Sequence, residues 1–332
     1  MAQTMMTEDV LEPDLPICDP HHHLWDFPTS RYLLPELLAD LGQGHRVEST
    51  VYMECGAFYS AHATKALAPV GETEFVTGVA AMADSGRYGE VQACAGIVGF
   101  ADLTLGAAVD EVLAAHIRAG GGRFRGIRHA GSWHPSDQIR NGHTNPPENL
   151  YGREDFRQGF SRLAAHGLSF DAWQFHTQLS ELIGLARAFP TTPIMLNHVG
   201  GPLGIGPYVG RRDEVFADWS QGIRELATCA NVSVKLGGLG MGITGLGFDK
   251  RDTPATSLEL SEAWRPYLET CIEAFGVGRG LFESNYPVDG VSCSYGVLWN
   301  AFKRVAAGAS ADEQARLFRD NALEFYRLDL RA

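Results

Sequence analysis

Residues 19–26 read Asp19-Pro20-His21-His22-His23-Leu24-Trp25-Asp26, and they close the first of eight short apolar runs along the chain. That position decides between two α/β architectures. A doubly wound open sheet wants a glycine-rich phosphate turn after its first strand, and here Pro20-His21-His22-His23 stands instead. No GxGxxG or GxxxxGK[ST] motif occurs in the right context elsewhere. Strands are expected at Leu15–His21, Ser49–Glu54, Ala95–Phe100, Phe124–Arg128, Ser169–Phe175, Pro193–Leu196, Val232–Leu236 and Gly280–Ser284. Helical periodicity is clearest at Ala107–Ala119, Glu154–His166, Ser180–Phe189, Asp213–Thr228, Leu258–Phe275, Tyr295–Ala306 and Ala311–Tyr326. Strands alternating with helices imply βαβ units and a parallel sheet. The strand starts lie about 38 residues apart on average, the size of one such unit. The expectation is an α/β fold, a (β/α)8 barrel forming one domain over residues 1–332, with residues 1–14 a flexible N-terminal segment. A barrel of this kind carries its site at the C-terminal ends of its strands. Gly237–Gly247, after the seventh strand, reads as a long mobile loop at that mouth.

The 332 residues are 45% hydrophobic and 20% charged, enough for an ordinary core and too apolar for disorder. Lys and Arg number 27 against 40 Asp and Glu, a net charge of -13. Such a field repels phosphate backbones and anionic lipid, so neither nucleic acid nor a membrane surface is an expected partner. The six cysteines are far apart with no CxxC pair, and read as reduced packing residues. With no basic-then-apolar leader and no long apolar run, the chain is expected to be soluble and cytoplasmic. Its expected partner is a small-molecule substrate, with a homo-oligomer left open.

The chemistry-bearing residues gather at the strand ends. Residues i and i+2 of a strand share a face, so His21 and His23 can enter the barrel while His22 turns away. Two neutral imidazoles on one face suit a divalent metal, zinc before others. Gln174 and His176 follow the fifth strand, and Asn197-His198-Val199-Gly200-Gly201 the sixth. The fourth strand offers Arg125 and Arg128, either of which suits bidentate capture of a substrate carboxylate. They sit three apart, so alternation alone does not say which faces inward. Lys235 lies in the otherwise apolar seventh strand, where an unpaired ammonium is expensive to bury. The eighth strand runs into Glu283-Ser284-Asn285-Tyr286-Pro287-Val288-Asp289, and Glu54 ends the second. Glu283 and Asn285 share a face, which points Asn285 toward the histidines. Glu283 is expected deeper, as a buried partner of Lys235 or an arginine.

These motifs, in this order, resemble the amidohydrolase superfamily, in its amidohydrolase-2 branch, near the sugar-lactone hydrolases and the pyrone-dicarboxylate lactonase. The likeness rests on Asp19-x-His21-x-His23 with Leu24-Trp25-Asp26, Arg125-Gly126-Ile127-Arg128, His176, and Asn197-His198-Val199-Gly200. It extends through Lys235-Leu236, Phe282-Glu283-Ser284-Asn285-Tyr286-Pro287, and the closing Asn321-Ala322-Leu323-Glu324-Phe325-Tyr326. It implies a (β/α)8 barrel with His21 and His23 as first-strand metal ligands and His176 and His198 completing the histidine set. The superfamily places an aspartate on its eighth strand to activate water; this chain has Asn285 there. A neutral amide cannot take a proton at neutral pH. The base then falls to His198 or Asp289 ahead of Glu283. The fourth strand has no lysine to bridge two metals, so at most one divalent ion is expected, and metal-free operation stays open.

Three functions compete. The first is a hydrolase opening a lactone or related cyclic ester, with Arg125, Arg128, Lys235, Glu54 and Gln174 around the substrate. The second is a metal-dependent decarboxylase, which needs no hydrolytic water. The third is a non-catalytic barrel that binds a small molecule. Fold alone does not choose among them.

Overall fold

The expected strands form one eight-stranded sheet in which every neighbouring pair is parallel and follows chain order. A computed structural model describes residues 8–329. The strands are β1 Ile17–His22, β2 Val47–Met53, β3 Gln92–Gly99, β4 Phe124–Arg128, β5 Ser169–Ala172, β6 Ile194–Leu196, β7 Val232–Leu236 and β8 Gly280–Phe282. Each is followed by a helix: α1 Leu34–Leu41, α2 Val70–Ala83, α3 Val109–Ala119, α4 Glu154–Phe160, α5 Leu179–Ala188, α6 Arg212–Ala227, α7 Ser257–Phe275 and α8 Tyr295–Val305. The fold is a (β/α)8 barrel. The helical periodicity expected over 154–166 is interrupted after Phe160, and the last stretch passes through a π turn at Arg316–Asp320 before ending at Asn321–Tyr326. Strands β5 and β8 end earlier than the apolar runs suggest. The residues beyond Ala172 and Phe282 leave the sheet to line the mouth.

Two layers fill the interior. Cys18, Val51, Met53, Val98, Met195 and Leu281 form an apolar floor, closed from below by Ala322, Tyr326 and Leu328 of the C-terminal segment. Above it lies a layer of buried polar side chains. Helices cover the outside through a continuous apolar core that includes Trp219, Trp264 and Trp299, each essentially unexposed.

The seam between β8 and β1 is short of backbone pairing. A single bridge joins His22 to Tyr286, with His23 N donating to Tyr286 O at 2.8 Å. The Asp19 side chain supplies the missing acceptors. Its Oδ1 accepts from Ser284 N at 3.0 Å and His21 N at 3.3 Å, and its Oδ2 from Tyr295 Oη at 3.0 Å. Burial pushes this carboxyl up to about 6, and the same hydrogen bonds pull the other way.

Residues 8–14, expected to be flexible, are instead tied across α7 and α8. The Glu8 carboxylate accepts from Ser257 N at 2.7 Å, and Lys303 Nζ donates to Leu11 O and Glu12 O at 2.8 Å each. Residues 1–7 lie outside the described part of the chain.

The seam makes the first prediction. Asp19→Leu keeps the bulk but leaves the Ser284 N–H and Tyr295 O–H buried without an acceptor, at about 1–3 kcal/mol for each. Scanning calorimetry should show the melting temperature falling by about 5 °C or more, and less in Asp19→Asn, which keeps one acceptor. An unchanged value in both variants would show that the seam does not depend on this side chain.

Candidate functional site

Alternation along β1 does what its sequence implies. His21 and His23 share the interior with ring centroids 4.9 Å apart, while His22 points the other way, its Nε2 2.8 Å from Thr50 Oγ1. His23 Nδ1 donates to Met53 O at 2.8 Å. That bond fixes the tautomer and leaves a lone pair on Nε2, which faces His21 Nε2 at 3.2 Å.

On the opposite side of His21 stands Glu283, fully buried. Its Oε1 accepts from His198 Nδ1 at 2.7 Å and from His198 N at 3.1 Å, and its Oε2 lies 2.7 Å from His21 Nδ1. One carboxylate is wedged between two imidazoles. Because Oε1 already accepts two N–H groups, a proton held by Glu283 belongs on Oε2. Burial pushes this carboxyl up to about 8, with Lys235 acting in the opposite sense. Burial also holds His21 and His198 well below the ordinary histidine value, reinforced by Lys235 at His21 and by Arg128 and Lys235 at His198. Both rings are thereby held toward the neutral form.

The backbone is bent to deliver His198. This residue has φ 54 and Val199 φ 47, a left-handed conformation that a β-branched residue rarely adopts. Trp219 Nε1 donates to Val199 O at 2.7 Å and holds the bend, and Trp173 lies edge-on to the His198 ring at 4.8 Å. Strain of this kind collects at functional sites, where the surroundings enforce it.

Two ion-paired cations flank the wedge. Lys235 Nζ donates to Asp171 Oδ1 at 2.9 Å and lies 3.2 Å from His21 Nδ1. Asp171 also accepts from Tyr326 Oη at 2.8 Å and Asn197 Nδ2 at 2.9 Å. Arg128 Nε donates to Glu54 Oε1 at 2.6 Å, its Nη2 binds Glu54 O, and its Nη1 lies 3.4 Å from His21 Nε2. Glu54 Oε2 is 2.9 Å from His143 Nε2. The expected pairing of Glu283 with Lys235 or an arginine gives way to Lys235–Asp171 and Arg128–Glu54. Asp171, His143 and Tyr326 were missed from sequence. A lone Asp in β5 and a lone Lys in β7, both among apolar neighbours, are a signal that they pair, since neither can be buried alone.

Other expected site residues go elsewhere. Arg125 is the second residue of β4, near the barrel's N-terminal end, and its Nη1 donates to Gly122 O at 2.6 Å and Phe124 O at 3.2 Å, away from the histidines. His176 lies four residues beyond β5, against Tyr208, and accepts from Leu203 N at 3.3 Å, so it does not join the histidine group. Asn285 directs its amide nitrogen to Asp289 rather than to the histidines. It adopts φ 52 and donates from Nδ2 to Asp289 Oδ1 at 2.7 Å. Asp289 Oδ2 accepts from Gly240 N at 2.9 Å, so both oxygens of this candidate base are engaged in a structural clasp. Gln174 is fully buried and neither of its amide atoms has a partner among the described residues.

Among the described residues, one group brings three potential metal ligands together: His21, His198 and Glu283, with ligand atoms within 4.8 Å of one another. Two imidazoles and a carboxylate are the donor set of many catalytic zinc sites. Glu283 Oε2, buried with no aligned hydrogen-bond partner, is an acceptor that such an ion would satisfy. The residues fit a divalent ion. The Lys235 and Arg128 cations beside His21 weaken its hold there.

The β7–α7 loop seals this group from above. A Cβ on Gly237 would meet Glu283 Cγ at 2.5 Å, and one on Gly238 would meet the His198 ring at 2.5 Å. Ser292 Oγ donates to Gly240 O at 2.6 Å, so the near end of the loop is fastened rather than mobile. Gly238→Ala should therefore push the His198 ring aside and reduce turnover about a hundredfold, the size expected for an ångström of misplacement. Gly247→Ala is the control, because Gly247 also has positive φ (81) but nothing within 4 Å of its Cβ position. Equal turnover in the two variants, measured as kcat, would contradict the packing argument.

Comparison with known proteins agrees with this architecture. The family model described as "Amidohydrolase" matches residues 18–328. A Sinorhizobium fredii protein named "Uncharacterized protein y4mH" is 35% identical over 337 residues, covering 95% of this chain and 99% of its own. The L-fucono-1,5-lactonase of Burkholderia multivorans is 27% identical over 315 residues, 93% of this chain and 95% of its own. An amidohydrolase structure from Burkholderia multivorans with bound zinc superposes with a TM-score of 0.72 at 23% identity, covering 94% of this chain and 99% of that one. The histidine pair, the strand order and the near full-length family match together make this chain a member of the amidohydrolase family.

Proposed function

We propose that the barrel hydrolyses a small lactone or related cyclic ester. The observation that carries this reading is the Glu283–His198 pair, a buried carboxylate fixing an imidazole, with two cations beside it. The relatives named L-fucono-1,5-lactonase support it.

Glu283 Oε1 accepts the His198 Nδ1–H bond and so leaves the lone pair on Nε2. Nε2 takes a proton from the attacking water, and Glu283 in its ionised form, favoured as pH rises toward the value of about 8 to which burial pushes it, offsets the positive charge that grows on the ring. The carbonyl oxygen gains negative charge as the water adds. Arg128 Nη1 and Lys235 Nζ are fixed cationic donors for that oxygen, already paid for by Glu54 and Asp171. His198 then returns its proton to the ring oxygen as the carbonyl–oxygen bond breaks, and the lactone becomes a hydroxy acid. When a divalent ion is bound, His21, His198 and Glu283 would hold it, and it would supply Lewis-acid polarisation.

A panel of 1,4- and 1,5-sugar lactones in ¹⁸O-labelled water tests the reading. The expected result is one ¹⁸O in the product carboxylate and one proton released per turnover, without CO2. Release of CO2 from a carboxylated substrate would assign a decarboxylase, and binding without turnover a non-catalytic barrel.

The two arginines separate in the same assay. Arg128→Lys loses the fork that spans Glu54 and reaches His21, and kcat/KM should fall about a hundredfold. Arg125→Lys, at the barrel floor, should leave it unchanged. Equal effects at both positions would remove Arg128 from the mechanism.

A further inference from the structure

A cavity of about 720 Å³ opens beside the wedge, over the ends of β2, β3 and β4, and none of His21, His23, His198 or Glu283 lines it. The Glu54–Arg128 pair stands between the two. Cys55 and Gly56, which follow Glu54, and His129, which follows Arg128, all line the cavity wall. The chamber therefore borders the reactive group without containing it.

Its wall has two chemistries. Phe100, Leu105 and Leu150, with Tyr59 at the rim, give it flat apolar and aromatic surface. Lys65 and His143 give it positive charge. Lys65 is exposed and makes no hydrogen bond or ion pair with any described residue. His143 is 32% exposed at its side chain and is fastened through Nε2 to Glu54, while its Nδ1 has no partner among the described residues. Glu54 raises the His143 pKa, with burial and Arg128 opposing; the neighbouring His129 is held neutral by burial. Asp102 also lines the wall; Thr104 holds its Oδ1, donating from N at 3.0 Å and from Oγ1 at 2.6 Å, while its charge stays on that wall and opposes an anion placed next to it. The cavity thus presents one exposed ammonium and one imidazole fastened by Glu54, with the Asp102 carboxylate on the same wall, against an apolar bed.

We propose that this cavity binds a small ring compound bearing a carboxylate, its ring against the Tyr59, Phe100 and Leu150 surface and its anion between Lys65 and His143. The inference goes beyond the hydrolase reading by placing an anion-selective pocket beside the reactive group. It also moves the anion grip from Arg125, which lies at the floor, and from Arg128, which Glu54 already holds. His143 ties the grip to the reactive group through the contacts His143–Glu54, Glu54–Arg128 and Arg128–His21, of 2.9, 2.6 and 3.4 Å.

Benzoate and its neutral analogue benzamide are the probes, titrated calorimetrically into the full-length protein at pH 6.5. Benzoate should bind with a stoichiometry of about one and about tenfold or more tighter than benzamide, the worth of one charge-assisted hydrogen bond. Lys65→Met and His143→Gln should each weaken benzoate about tenfold and leave benzamide unchanged, whereas Arg125→Met should alter neither. Lys65 is exposed, so its variant reads the site even if His143→Gln disturbs the loop. Absence of binding, equal affinity for both probes, or benzoate binding that survives the Lys65 substitution would overturn the proposal. The readout needs no turnover: selective binding in a protein that opens no lactone keeps this site and removes the hydrolase reading, and lactone opening without selective binding does the reverse.

Discussion

One buried carboxylate shared by two imidazoles sets the terms for the rest of the site. Glu283 sits where water cannot reach it, so the cost of its charge must be met by the groups it touches. His198 meets part of it with two N–H groups, and only a left-handed backbone at His198 and Val199 brings both to the same oxygen. The glycines at 237 and 238 follow from the same requirement, because any side chain there would occupy the space of Glu283 or His198. Asn285 follows as well. With the acid two residues earlier, position 285 is free to turn out of the group and clasp Asp289.

Charge balance inside the barrel depends on pairing rather than on solvent. Lys235 and Arg128 are essentially buried, and each has its own carboxylate, Asp171 and Glu54. Separating either pair would leave an uncompensated charge at a cost of about 3–5 kcal/mol. These pairs also link distant parts of the chain to the site. Tyr326, in the segment that plugs the floor, reaches Asp171, and His143, in the long β4–α4 loop, reaches Glu54. The positions of the two cations are therefore set from both ends of the barrel. In the hydrolysis we propose, this arrangement would supply fixed positive charge to the oxyanion without reorganisation during the reaction.

The barrel was legible because each strand is a short apolar run followed by helical periodicity, a pattern that tertiary context does not override. His21 and His23 were legible because a period of two is unambiguous within a strand. Arg125 and Arg128 were not separable by alternation. Position along β4 separates them, since residues at the C-terminal end of a barrel strand face the mouth and those at the start face the floor. His176 misled because the apolar run continues past Ala172 although the sheet does not, and the extra residues turn its ring into a loop. Helices α1 and α2 were absent from the clearest periodic segments; α2, with Val70, Val76, Val79, Ala80, Ala81 and Ala83, is apolar round much of its circumference. His143 carried no local signal at all, being one of three histidines, with His129 and His134, in a long aperiodic loop. The relation between Glu283 and Asn285 was half legible: their shared face was right for an ideal strand, but β8 ends at Phe282 and the chain turns before Asn285.

The central claim is that the eighth-strand acid acting in this site is Glu283 and that Asp289 is structural. Turnover of Glu283→Gln and Asp289→Asn on the same lactone, with melting temperatures measured in parallel, tests it most directly. The account predicts that Glu283→Gln loses about a thousandfold or more in kcat while remaining folded, as removal of a carboxylate that orients a catalytic imidazole does. Asp289→Asn should keep kcat within about tenfold and lose stability instead, since its oxygens hold Asn285 and Gly240. The reverse pattern, with Glu283→Gln active and Asp289→Asn folded but inactive, would contradict the account.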